Sequence, residues 1–192
     1  WEVSSGTCTA DGSTLTPGDA GSVCQVRVSK AQDGNYLAAQ SSITTVNVAR
    51  ASQAVLTVTS TSVTYGQTLA LTTSGGTGIG AVTWVVVPST GSTCTIAGST
   101  LTPGDAGSTC VVRATKAQDT NYLVENSSNT TVTINRASQA SLTVTSTSAT
   151  YGQNYTLTTS GGSGAGAVTW TVVFGTCTVS GSTLTPGNAA SS

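Results

Sequence analysis

The chain of 192 residues contains no histidine and no methionine, a single phenylalanine, and aromatic side chains at only 5% of its positions. Charge is equally scarce: six Lys or Arg and seven Asp or Glu make up 7% of the chain, where a soluble domain ordinarily carries about a quarter. Each shortage excludes something. Without His, general acid–base chemistry would rest on a few scattered carboxylates, and the plentiful Ser hydroxyls have no imidazole to activate them. An enzyme is not expected. A formal net charge of -1 offers no basic footprint for nucleic acid or an anionic membrane. No apolar run approaches the roughly 20 residues that a membrane-spanning helix needs. No signal peptide is visible, and a start at Trp1 without Met reads as part of something longer.

What the chain has in quantity is hydroxyl. Ser and Thr together fill about a third of the positions and Gly adds 22. Such a surface is wetted by hydroxyls and amides rather than by ions. Apolar and hydroxyl residues alternate in Leu56-Thr57-Val58-Thr59, Thr131-Val132-Thr133-Ile134 and Ser141-Leu142-Thr143-Val144-Thr145. Alternation at period two turns one face of a strand to a core and the other to water. Gly, Pro, Asn and Asp punctuate these stretches. The composition predicts an all-β protein.

The chain also repeats itself. "STLTPGDAGS" at 13–22 returns unchanged at 99–108, and a near-copy, "STLTPGNAAS", begins at Ser182. "KAQDGNY" (30–36) returns as "KAQDTNY" (116–122), "ARASQA" (49–54) as "NRASQA" (135–140), and "TVTSTSVTYGQ" (57–67) as "TVTSTSATYGQ" (143–153). The period is 86 residues, the distance from Leu15 to Leu101. The third copy is three residues shorter between its Trp and Cys. These spacings predict one complete unit over 51–136, flanked by partial units over 1–50 and 137–192. Strands are predicted in the complete unit at 55–59, 68–73, 80–87, 93–97, 108–115, 121–125 and 129–135. "STLTPGDAGS" and "YGQ" read as loops. The joint "VNVARASQAVLTV" contains no Gly/Ser or Pro spacer, which favours a semi-rigid string over flexible tethers.

Five cysteines follow the same period. Cys8 and Cys24 are 16 positions apart, as are Cys94 and Cys110, so each pair is expected to close a disulfide within its own unit. The same spacing puts the partner of Cys177 at position 193, outside the chain. Disulfides imply an oxidising compartment. Parity groups Cys94 with Ile96, Cys110 with Val112 and Ala114, and Trp84 with Val82 and Val86. Bridge and indole are therefore expected in one core, with Trp170 in the same role in the third copy. Zinc is not expected, since His and CxxC spacing are both missing.

The set "VTYGQ…LTTSGG…GAVTW…GTC…STLTP…AGS…KAQDxNY" resembles the Ig-like repeats, of bacterial Ig-like and MBG type, that occur in tandem in large secreted and surface proteins of bacteria. The resemblance covers essentially the whole chain. It implies tandem immunoglobulin-like β-sandwich repeats of about 86 residues, used as a stalk, fibre or adhesin shaft. It also implies an extracellular, cell-surface location, with neighbouring repeats or laterally bundled copies as partners. One departure stands out: antibody-type domains place their bridging cysteines on either side of the Trp, whereas here both follow it.

The remaining polar clusters each carry a bland reading beside a sharper one. Asp19 and Asp105 in "PGDAG", with Asp119 and Asn121, offer oxygens of the kind calcium takes. However, Asn188 replaces the Asp in the third copy, and a Pro-Gly-Asp turn bonded to its own backbone explains the residues without an ion. "KAQDxNY" could supply a Lys for an isopeptide bond, but the late-strand Asn47, Asn135 and Glu125 do not repeat as such a bond requires. The structural reading is a loop in which Asp and Asn cap backbone groups, Lys points to solvent, and Tyr122 lies on the sandwich edge with its hydroxyl bonded to main chain. Exposed Trp84 and Trp170 would make a sugar-stacking platform, although their parity with valines favours the core. The sequons at Asn126, Asn129 and Asn154 match what chance supplies in so Ser/Thr-rich a chain. A flat Thr array of the ice-binding kind does not fit a domain-sized period. Two functional expectations remain: a structural shaft without cofactor or catalysis, or an adhesin module whose loops bind carbohydrate or protein. Loops held identical between copies favour the shaft.

Overall fold

Residues 1–88 and 93–188 are described by a computed structural model. They are all-β, with no helix among them. The chain forms two compact units, Trp1–Ala137 and Ser138–Ser192.

Within the first unit, the longest strand is Thr109–Lys116. It pairs antiparallel with Val82–Val86 on one side and with Thr130–Asn135 on the other. Thr130–Asn135 in turn pairs in parallel with Ser62–Thr64, in the register Thr133↔Ser62 to Asn135↔Thr64. Glu125–Asn126 joins the far end of the long strand. A smaller sheet holds Leu69–Ala70, Thr100–Thr102 and Thr95–Ala97, and Thr57–Val58 pairs with Thr73–Ser74.

Period-two alternation builds the core. Cys110, Val112 and Ala114 are fully buried along the long strand, as are Val132 and Ile134 along its neighbour, while Arg113 in the one and Thr131 and Thr133 in the other face outward. They form a single apolar cluster with Leu56, Val58, Val63, Leu71 and Leu101. Trp84 packs against this cluster half-buried rather than inside it, because Val82–Val86 is an edge strand.

Three differences from the predicted strands have local causes. Thr100–Thr102 is a strand and not a loop. It returns from Thr95–Ala97 through a two-residue turn at Gly98-Ser99, with Gly98 at φ 61° and no positive φ at Ser99. Gly in the first central position is the demand of a type II′ hairpin. Gly12 and Gly181 repeat it at 58°. Ser62–Thr64 was not anticipated as a strand at all. The expected strand 121–125 shrinks to one bridge at Tyr122 and a pair at Glu125–Asn126, because the Asp119 carboxylate takes the N–H groups of Asn121 and Tyr122.

Segment 1–50 uses the pairings found 86 residues on. Val23↔Asn47 and Cys24↔Val46 correspond to Thr109↔Thr133 and Cys110↔Val132. Its apolar face borders a cavity of about 220 Å³ lined by Trp1, Leu15, Val26 and Val46. In the second unit, Leu142–Val144 pairs with Thr159–Gly161, and Thr183–Thr185 with both Tyr155–Thr156 and Thr178–Ser180. Trp170 is half-buried there and lines a cavity of about 340 Å³ with Leu157, Cys177 and Leu184.

Candidate functional site: the joint between segments 1–50 and 51–137

The expected cysteine partners are bonded. Cys8–Cys24 and Cys94–Cys110 are disulfides with Cα separations of 5.9 and 6.1 Å, and Cys177 is a free, half-buried cysteine. Cys94 precedes a strand of the smaller sheet, and Cys110 lies in the central strand of the larger one. The bond therefore ties the two sheets through the core.

The main polar cluster outside the core lies where segment 1–50 meets segment 51–137, and it is made from the very blocks that recur in the sequence. The chain crosses this joint almost without slack. On one side Gly21 N–H donates to Val48 O at 2.7 Å and Val48 N–H to Ser22 O at 3.1 Å. On the other, Ala51 N–H donates to Asn121 O at 2.9 Å, and Leu123 N–H donates to Ala51 O at 2.9 Å. Only Ala49 and Arg50 lie between these anchored residues, and the Arg50 Nε–H reaches Asp119 O at 2.9 Å and Thr120 O at 3.2 Å.

Asp119 organises the receiving loop. Its Oδ1 accepts from the N–H groups of Asn121 and Tyr122, both at 2.9 Å, and its Oδ2 accepts from Ile79 N–H at 2.7 Å. Gly78, at φ 87°, leaves room for that carboxylate; a Cβ there would run into Asp119 and the Tyr122 ring. The N–H groups, Ile79 first and then Asn121, Tyr122 and Gly80, hold the Asp119 carboxyl below its ordinary value of 3.8, against a smaller opposing effect of burial. A depressed pKa in the folded chain means that this contribution to stability is whole above the ordinary value and is lost as pH falls through the folded one. Protection of the Asn121 and Tyr122 amides, taken relative to the free-chain exchange rate at each pH, is thus expected to hold down to about pH 4 and to fall below it, the reference range for Asp. Exchange of these two N–H groups measured by NMR across the pH range checks it; protection already falling at pH 6 would contradict it.

Asn121 spans the joint. Its Oδ1 accepts from Ala20 N–H at 2.8 Å and its Nδ2 donates to Asp19 Oδ1 at 3.0 Å. The carboxylates of Asp19 and Asp119, weighed above as calcium ligands, therefore already accept N–H donors. Among the described residues no group of three or more His, Cys, Asp or Glu is placed to hold a metal ion. Below Asn121 the joint opens into a cleft lined by Asp19, Ile79, Thr120 and Tyr122.

Two expectations for this loop are corrected. Tyr122 is half-buried at the joint, and its main chain, rather than its hydroxyl, makes the bonds: its N–H to Asp119 Oδ1 and its carbonyl from Asp119 N–H. Lys116 is half-buried, with its aliphatic stem lying against Gly76, and does not stand free in solvent. Gln53 was not anticipated at all. It is 93% buried (7% exposed), and its Nε2 donates to Ala117 O and Leu123 O, fastening the entering chain to both ends of the loop. The invariance of "RASQA" between copies was the available signal.

No family model matches the chain, and neither a curated protein nor a solved structure does.

Proposed function

We propose that this chain is a segment of an extracellular array of tandem immunoglobulin-like β-sandwich repeats of about 86 residues, serving as the shaft of a fibre or stalk and performing no catalysis. The observation that carries this reading is the tautness of the joint, with two residues between backbone groups anchored on either side. A tether that let modules search for ligands would need slack. A shaft needs the reverse: a fixed distance and direction from one module to the next. Other features agree. The parallel pairing of Ser62–Thr64 with Thr133–Asn135 joins an early strand of the repeat to its last one. Tension pulling the two ends apart loads those hydrogen bonds together in shear rather than one at a time. Two disulfides fit a non-reducing environment such as the cell exterior. The resemblance to bacterial surface repeats points to the same place. Near-neutral, hydroxyl-covered faces let neighbouring shafts pack side by side without charge repulsion.

Electron microscopy of the native material tests the proposal. Beaded filaments with a regular axial spacing are expected. A compact particle that binds immobilised glycans would replace the shaft with an adhesin head.

A further inference from the structure

We infer that the Asp119–Tyr122 loop and the Asp19–Ala20 turn are a docking interface by which a repeat recognises and orients its neighbour, the partner being another repeat that carries the same turn. The inference deepens the shaft reading and rests on it for the identity of that partner.

The amide of Asn121 performs a two-point reading. Ala20 N–H can only donate, so the atom facing it must be the amide oxygen; the amide nitrogen is then left for Asp19, whose carboxylate can only accept. Reversing the amide would spoil both bonds. The side chain therefore fits one arrangement of the preceding turn and rejects its neighbours, while Arg50 fixes the loop from the linker side through two carbonyls.

Both halves also occur where the other half is not seated, and each keeps its shape. In the first segment Asp33 repeats Asp119: its Oδ1 accepts from the N–H groups of Asn35 and Tyr36 at 2.8 and 2.9 Å, and its own N–H donates to Tyr36 O at 2.9 Å. The turn at Asp105 repeats that at Asp19. Ser108 N–H reaches Asp105 O at 3.2 Å as Ser22 N–H reaches Asp19 O at 3.2 Å, and Gly107 N–H is held by Ile134 O as Gly21 N–H is by Val48 O. Docking thus joins two rigid pieces and spends little on ordering either. In the third copy Asn188 stands where the turn has Asp, and an amide, like a carboxylate, carries an oxygen of the accepting kind.

Amide hydrogen exchange in the full 192-residue chain tests the interface, with Ala20 N–H as reporter and Val112 N–H as a control for folding. Asn121→Ala is expected to speed exchange at Ala20 about three- to tenfold, the range set by one net hydrogen bond, and to leave Val112 unchanged. Asp19→Asn should keep the protection, since an acceptor remains, and Asp19→Ala should lose part of it. Residual dipolar couplings from segments 1–50 and 51–137 should fit one alignment tensor in the natural chain and fit a single tensor less closely in Asn121→Ala. Unchanged protection at Ala20 in Asn121→Ala, or equal loss in Asp19→Asn and Asp19→Ala, would overturn the inference. These readings are independent of whether native material forms filaments, so either idea can fail while the other stands.

Discussion

Replacing Leu101 by Ala is expected to destabilise the first unit by about 3–5 kcal/mol, the range for a fully enclosed leucine that leaves a cavity behind. Leu101 is 0% exposed. It sits at the centre of the three-stranded sheet, opposite Leu69 on one side and Ile96 on the other, and belongs to the main apolar cluster. Neighbours fixed in two ladders cannot move in to fill the space, so the transfer and cavity contributions both apply. The same leucine supplies its own controls. Leu15 and Leu184 occupy the equivalent place in the other two copies, yet each is only half-buried and lines a cavity already open, of about 220 and 340 Å³. Removing a side chain that still touches water forfeits less, so Leu15→Ala and Leu184→Ala should each cost well under half as much. Urea denaturation of the three variants, followed by amide exchange in each segment, checks the ordering. Equal losses at all three positions would mean that copy number, and not enclosure, sets the contribution.

The contrast between these leucines also shows what the sequence could and could not reveal. Parity in "TCVVRATK" and "TTVTIN" was enough to find the buried faces of Thr109–Lys116 and Thr130–Asn135, because strands of six or more residues display their alternation. Thr100–Thr102 is three residues long and is enclosed by Gly98-Ser99 and Pro103-Gly104, so its only apolar residue has no periodic company and the segment reads as a loop. Ser62–Thr64 is concealed for a related reason: its ladder partners lie about seventy residues away, and parallel pairing leaves no hairpin signature in the sequence between them. At the joint, the polar block "KAQDxNY" was conspicuous and the capping work of Asp119 was foreseeable from its spacing to Asn121 and Tyr122. The work of Asn121 was not, since its partners are 101 and 102 residues earlier and no local pattern connects them. What did point there was repetition. Within the block kept unchanged at 13–22 and 99–108, Asp19 and Ala20 of the first copy are the residues that Asn121 meets.

Opening the Cys94–Cys110 bond is expected to have the next largest effect, in two measurable ways. The bond closes a loop of 16 residues, and on the chain-entropy account such a closure is worth about 3 kcal/mol, chiefly by restricting the unfolded chain. For a cooperative repeat of about 86 residues, that loss should lower the melting temperature by roughly 12–24 °C, given a slope of about 4–8 °C per kcal/mol. Calorimetry of the Cys94→Ala/Cys110→Ala chain against the natural chain, both oxidised so that Cys8–Cys24 stays closed, reads it. The other effect concerns tension. While the bond holds, the 16 residues between its ends cannot be drawn out when the repeat unfolds, and the cysteines remain within the 6.1 Å between their Cα atoms. Freed, those residues extend at about 3.3–3.6 Å each, so the unfolding step should lengthen by about 50 Å. Pulling the oxidised 192-residue chain from its ends, and then its Cys94→Ala/Cys110→Ala variant with Cys8–Cys24 still closed, measures that increment directly. An unchanged step would mean that the bond is absent from the protein under load. The expected increment would agree with the proposed shaft, in which the parallel strand pair resists the first pull and the bond limits how far a repeat gives once that pair has yielded.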